Sequence, residues 1–149
     1  MAPSHPIGLL NGPNLGRLGL REPDIYGAET LADIENTFRN EAKNLGIVVD
    51  CFQSNHEGEL IDKIEKWTDD HFAGVIINPG GFTHTSVALR DAISSSQIPF
   101  IEVHLSNVHQ REEFRHRSLT AGVCQAVIAG MGPMGYYAAL RHFAAKLHQ

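Results

Sequence analysis

Ala73-Gly-Val-Ile-Ile-Asn78 narrows the possible folds more than any other stretch of the chain. It is an unbroken apolar run that ends in a polar residue and the turn Pro79-Gly80-Gly81. A strand of this kind is buried on both faces, as in parallel sheets whose crossover helices cover both sides. Similar runs occur at residues 6–11, 47–52, 99–103 and 123–129. Between them, apolar residues recur at helical spacing. One set is Leu31, Ile34, Phe38, Ala42 and Leu45, with Thr30 and Asp33 placed as a near capping box and Gly46 as the stop. Others are Leu60, Ile61, Ile64 and Trp67; Val87, Ala88, Ala92 and Ile93; and Tyr137, Leu140, Ala144 and Leu147. A short polar helix is predicted over 110–118.

Strands that alternate with helices indicate βαβ units with right-handed crossovers. Five strands in 149 residues predict one domain over 1–149 with a flavodoxin-like, three-layer α/β fold. The parallel sheet would have the order 2-1-3-4-5, with helices on both faces. In such sheets ligands bind outside the carboxyl ends of the strands, at the point where the order reverses. That rule brings Asn11–Asn14 and Asn78–His84 together around a site. Residues 12–29 form an aperiodic connection rich in Gly, Pro, Asn and Arg, a length that is usually functional or mobile.

A net charge of −5 and a pI near 5.9 argue against nucleic-acid and anionic-membrane roles, since both need a basic face. The exception is a local basic cluster at Arg111, Arg115, His116 and Arg117. No stretch approaches the ~20 apolar residues of a membrane span. The start, Met-Ala-Pro-Ser-His-Pro, lacks the charged and apolar regions of a signal peptide. Cys51 and Cys124 fall on strands at opposite edges of the sheet, which predicts reduced, buried thiols and a cytoplasmic protein. A phosphate-binding P-loop, a dinucleotide fingerprint, a nucleophile elbow and an H-E-x-x-H helix are all missing. A receiver module would carry an acidic cluster after the first strand and an Asp after the third, where this chain has Asn11 and Asn78.

The chemistry therefore falls to Asn, Tyr, Arg and His. Glu102 and His104 lie two apart on a strand and point the same way. A buried carboxylate that orients an imidazole makes a general acid or base. The alternatives are a purely structural pair, or a metal site with His109, which no i,i+4 His pair or Cys cluster supports. Leu105-Ser106-Asn107 can form an anion nest suited to a carboxylate, or an ordinary turn. Gly80-Gly81, flanked by Asn78 and His84, allows close backbone approach to a ligand, or simply a tight turn. Arg17, Arg21 and Tyr26 are either solvated surface or part of a lid that closes on an anionic substrate. For Tyr26 to act as a base near neutrality, its pKa must fall by about two to three units, roughly 3–4 kcal/mol, which a neighbouring guanidinium such as Arg21 can largely supply. Arg111, Glu112, Glu113 and Arg115 read as a solvated charged face, or as one that sends an arginine into the site.

Four segments carry a resemblance. Asn11-Gly-Pro-Asn-Leu15, Arg21-Glu-Pro-x-x-Tyr-Gly27, Asn78-x-Gly-Gly-x-Thr-His-Thr-Ser86 and Phe100-Ile-Glu-Val-His-x-Ser-Asn-Val-His109 together resemble type II 3-dehydroquinate dehydratase. The likeness covers nearly the whole chain. It implies dehydration of 3-dehydroquinate to 3-dehydroshikimate, in shikimate biosynthesis or quinate breakdown, without metal or cofactor. It implies a homo-oligomer, a dodecamer of trimers. By the same likeness Tyr26 is the base, Arg21 favours the tyrosinate, Asn14 stabilises the enolate through water, and His104, held by Glu102, is the acid. Asn78, His84, Leu105, Ser106 and Arg115 bind substrate. Asp91 also occupies a substrate-site position, one that a neighbouring subunit can supply. Gly16 and Pro79 depart from residues common in the family, Asn and Ala, and bear on lid flexibility and fine geometry.

Overall fold

The computed structural model describes residues 5–20 and 22–149, and of Tyr26 the backbone alone. Five parallel strands, β1 (Ile7–Asn11), β2 (Val49–Gln53), β3 (Gly74–Asn78), β4 (Phe100–His104) and β5 (Ala126–Ala129), form one sheet of order β2-β1-β3-β4-β5. Four long helices cover it: α2 (Leu31–Asn44), α3 (Glu57–Asp69), α4 (Val87–Ser96) and α5 (Met134–Leu147). The order and the layering are those expected of a flavodoxin-like chain.

Side-chain alternation along the strands sorts the two cores. Ile7, Leu9, Ile76, Ile101 and Val103 pack with Leu31, Ile34 and Phe38 of α2 and Tyr136, Leu140 and Phe143 of α5. Leu10, Val75, Ile77 and Phe100 pack on the other face with Leu60, Ile64 and Trp67 of α3 and Leu89 and Ile93 of α4. Glu102 and His104 continue the Phe100 face by the two-residue period. Helix α2 starts as its sequence dictates. Thr30 Oγ1 accepts from the Asp33 N–H, while Asp33 Oδ2 accepts from the Thr30 N–H. It ends at Gly46, whose φ of 72° suits glycine.

Three expectations are corrected. The polar segment 110–118 is not an α-helix but part of two 3₁₀ turns, Val108–Gln110 and Glu113–Arg115. Arg111 between them is extended, and its carbonyl accepts from His116 Nε2 at 3.0 Å, so the charged run folds around a side chain instead of its own backbone. The connection 12–29 is not wholly irregular. It contains a 3₁₀ turn, Leu15–Arg17, and one helical turn, α1 (Pro23–Tyr26). On α4, Val87 and Ala88 are exposed and Leu89 takes the buried position. Ser86 sets that phase by capping the Leu89 N–H at 2.8 Å.

Candidate active site

The site lies where β1 and β3, neighbours in register at Asn11 and Asn78, hand over to their loops. The loop after β1 is pinned on both sides. Gly12 N–H donates to the Asn78 carbonyl at 2.8 Å, and Gln53 Nε2 donates to the Gly12 carbonyl at 3.1 Å. A side chain on Gly12 would collide with the Pro79 carbonyl, so the two loops approach as closely as they do only because that position is glycine. Asn14 follows with φ of 70°, a left-handed conformation asparagine tolerates, and its N–H donates to Asn55 Oδ1 at 2.9 Å.

A cavity of about 160 Å³ opens there. It brings together Asn14, Asn78, His84, His104, Leu105, Ser106 and Arg115, all seven expected from sequence, and adds Arg111. Glu102 lies directly beneath, fully buried, with Oε2 2.8 Å from His104 Nε2. A carboxylate only accepts, so Nε2 carries a hydrogen and the proton His104 can give up is the one on Nδ1. Burial alone would raise the Glu102 pKa. Hydrogen bonds from His104, Thr120 and Ser118, with the charge of His104, outweigh it and hold the carboxyl below its usual range.

The other walls have fixed roles. His84 Nδ1 lies 2.7 Å from the Arg117 carbonyl, so Nδ1 is the donor and neutral His84 keeps Nε2 as an acceptor. The Asn78 amide is occupied on both ends. Its Nδ2 donates to the Tyr136 hydroxyl at 3.1 Å and its Oδ1 accepts from the Gly80 N–H at 3.1 Å. Asn78 thus holds the Gly80–Gly81 wall in place. Arg115 donates from Nε to Glu112 at 2.9 Å and stacks over Phe114 at 4.9 Å. Arg111 Nη1 reaches Ser106 Oγ at 3.4 Å. A wider cleft of about 650 Å³ separates α1, at Asp24 and Ile25, from Leu105, Ser106 and Arg111. Helix α1 therefore borders the same strand end.

Arg21 lies outside the described residues, and Tyr26 is described only as the last residue of α1. Asp91 is not in this chain's cavity. It is exposed on α4, in a separate groove with Ile61, Glu65 and Thr68 of α3. Among the described residues no group of three or more His, Cys, Asp or Glu could hold a metal ion. The structure also shows what the sequence reading missed. Ser118 and Thr120 supply hydroxyls to Glu102, and Tyr136 bridges Asn11 and Asn78. A buried carboxylate does announce that it needs donors, but nothing in the order of residues says which ones.

The Dehydroquinase class II family model matches residues 5–144. The chain belongs to this family. A 3-dehydroquinate dehydratase of Bacillus mycoides (strain KBAB4) is 53% identical over 141 residues, covering 95% of this chain and 96% of the relative. A type II dehydroquinase from Butyrivibrio crossotus DSM 2876 superposes with a TM-score of 0.92 at 48% identity, covering 94% of this chain and 97% of that one. A 3-dehydroquinate dehydratase-like protein from Bifidobacterium longum superposes at 0.72 and 28% identity, covering 97% of this chain and 99% of that one. The family's reaction is the dehydration of 3-dehydroquinate, and this chain is an enzyme of that family. The matched span includes every position from Asn14 to Arg115 that the site draws on.

Proposed function

We propose that this chain, as one catalytic domain over residues 1–149, divides the dehydration of 3-dehydroquinate between Tyr26 and the Glu102–His104 pair. Tyr26, as tyrosinate favoured by Arg21, takes the proton from the carbon next to the ketone. The electron pair left behind moves to the carbonyl oxygen, and Asn14 stabilises that enolate through water. The enolate then collapses to the carbon–carbon double bond as the carbon–oxygen bond of the departing hydroxyl breaks. His104, an imidazolium beside the Glu102 carboxylate, gives its Nδ1 proton to that hydroxyl, which leaves as water. The proton on Tyr26 goes back to solvent, and solvent recharges His104. No redox change occurs, and neither metal nor cofactor is needed.

The observation that carries this reading is the 2.8 Å Glu102–His104 bond at the floor of a cavity walled by Asn14, Asn78 and Ser106. Leu105 and Ser106 receive the substrate carboxylate, with Arg111 beside them. Asn78, His84 and Arg115 face the ring hydroxyls. Asp91 acts from a neighbouring subunit of a dodecamer of trimers. Its exposed place on α4, away from its own chain's cavity, supports that reading. The unpaired thiols Cys51 and Cys124 support a cytoplasmic location, and no described helix is long and apolar enough to cross a membrane. The reaction serves shikimate biosynthesis or quinate breakdown alike.

The test is turnover of 3-dehydroquinate, followed by the ultraviolet absorbance of the conjugated product. Wild type should turn over, Tyr26→Phe should be nearly inactive with its fold intact, and His104→Ala should be severely impaired. No turnover by folded, assembled wild type would overturn the reading.

A further inference from the structure

The Glu102 carboxylate sits in a ring of hydroxyls that the reaction, as assigned so far, does not use. Oε2 accepts from Ser118 Oγ at 2.9 Å as well as from His104, and Oε1 accepts a short bond from Thr120 Oγ1. The proton positions then follow. Ser118 and Thr120 each have one hydroxyl proton, and each points it at an oxygen that can only accept. Thr83 Oγ1, 2.7 Å from Thr120 Oγ1 and 3.1 Å from Ser118 Oγ, therefore gives its one proton to one of these two oxygens, Thr120 being the nearer. Both hydroxyl bonds are strongest while Glu102 is ionised, because a charged oxygen is the better acceptor.

The backbone holds these hydroxyls in place. The Thr120 and Ala121 N–H groups donate to Ser118 Oγ at 3.2 and 2.9 Å. Leu119 N–H donates to the Thr83 carbonyl at 2.7 Å, and Arg90 Nη1 donates to the Leu119 carbonyl at 2.6 Å. Segment 118–120 is thereby tied to the turn that carries His84.

We infer that Ser118 and Thr120 are positioning residues that keep the proton of the Glu102–His104 pair on the imidazole. The inference rests on the reading of His104 as the acid. A pair with one proton can be a carboxylate beside an imidazolium, or a carboxylic acid beside a neutral imidazole. Only the first is a strong acid toward a leaving hydroxyl. A fully buried carboxylate favours the neutral form unless donors stabilise its charge. Other groups that face Glu102 or share its surroundings are His84, His109, Arg115 and His116 on the chamber walls, and Cys124 before β5. None of these is hydrogen-bonded to the carboxylate, so among the described residues the two hydroxyls and His104 make up its direct partners.

The experiment compares kcat and KM for 3-dehydroquinate across pH in assembled wild type, Thr120→Val, Ser118→Ala, Thr120→Ser and Glu102→Gln. For Thr120→Val and Ser118→Ala the kcat plateau falls about tenfold, part of the 10²–10⁴ a general acid contributes, and KM stays near wild type. Their alkaline limb moves up, by as much as about one pH unit, because Glu102 without its donors holds a proton more tightly. Glu102→Gln moves the same limb down, since His104 loses its counter-charge. Thr120→Ser keeps the hydroxyl and restores both plateau and limb. A wild-type profile in the two hydroxyl-deleted variants, or a lower plateau with an unmoved limb, overturns the inference. If Thr120→Val does not fold, Ser118→Ala decides alone. His104→Ala is run alongside. Full activity there would overturn the acid assignment itself, whereas a severe loss beside unaffected hydroxyl variants would overturn only the inference.

Discussion

The Tyr136 hydroxyl donates to Asn11 Oδ1 at 2.6 Å, joining two residues 125 positions apart. The same oxygen accepts from Asn78 Nδ2 at 3.1 Å, so one phenol on α5 ties the ends of β1 and β3 at the point where the strand order reverses. Burial pushes its pKa far up, and it stays neutral. Tyr136→Phe leaves the shape intact but strands two buried amide groups. Leaving buried groups unpaired costs about 1–3 kcal/mol. A urea denaturation midpoint equal to wild type would contradict this.

Gly12→Ala places a methyl group against the Pro79 carbonyl, and backbone on both sides leaves little room to move. The β1 and β3 loops must part, at an expected cost of about 1–3 kcal/mol. Because these loops wall the cavity, turnover should fall as well. The two are measured by thermal melting and by the product-absorbance assay.

The Glu102 carboxyl is held below its usual range in the folded protein, its hydrogen bonds outweighing burial. Unfolded, it would titrate near ~4.3. As pH falls through that value the unfolded chain takes up a proton that the folded chain does not, so stability present above it is lost toward the folded pKa. The urea midpoint should decline as pH drops below about 5, and Glu102→Gln should flatten that decline. Equal slopes for both proteins would show that other carboxyls govern acid unfolding.

Asp91 and Tyr26 can be tested in mixed assemblies. Asp91→Ala and Tyr26→Phe should each be impaired alone. Hybrids assembled from both should regain turnover, because some sites then combine an intact Tyr26 with a neighbour's intact Asp91. No recovery in verified hybrids would place Asp91 outside the neighbour's site.

Burial pushes the Cys51 and Cys124 thiols up to about 12, so both remain protonated at neutral pH. Iodoacetamide should modify them slowly in the native protein and quickly in denaturant, as thiolate is the reactive form. Rapid native alkylation, read by mass spectrometry, would refute that.

Much of this protein was decided locally. The apolar run ending at Asn78 specified a strand covered on both faces, and the alternation of such runs with helical periods implied the 2-1-3-4-5 sheet and its switch point. Thr30 with Asp33, and Gly46, bounded α2 through bonds between near neighbours. Glu102 and His104 could be paired in advance because a strand repeats every two residues. Interactions across the fold decided the rest. Local charge pattern suggested a helix near Arg111, but a carbonyl–imidazole bond and the packing of neighbouring turns won. Ser118, Thr120 and Tyr136 carry no periodic signal, and only the sheet and its crossovers bring them to Glu102, Asn11 and Asn78. A buried carboxylate must find donors, but which residues supply them depends on how distant segments meet, and that is settled only when the tertiary structure forms.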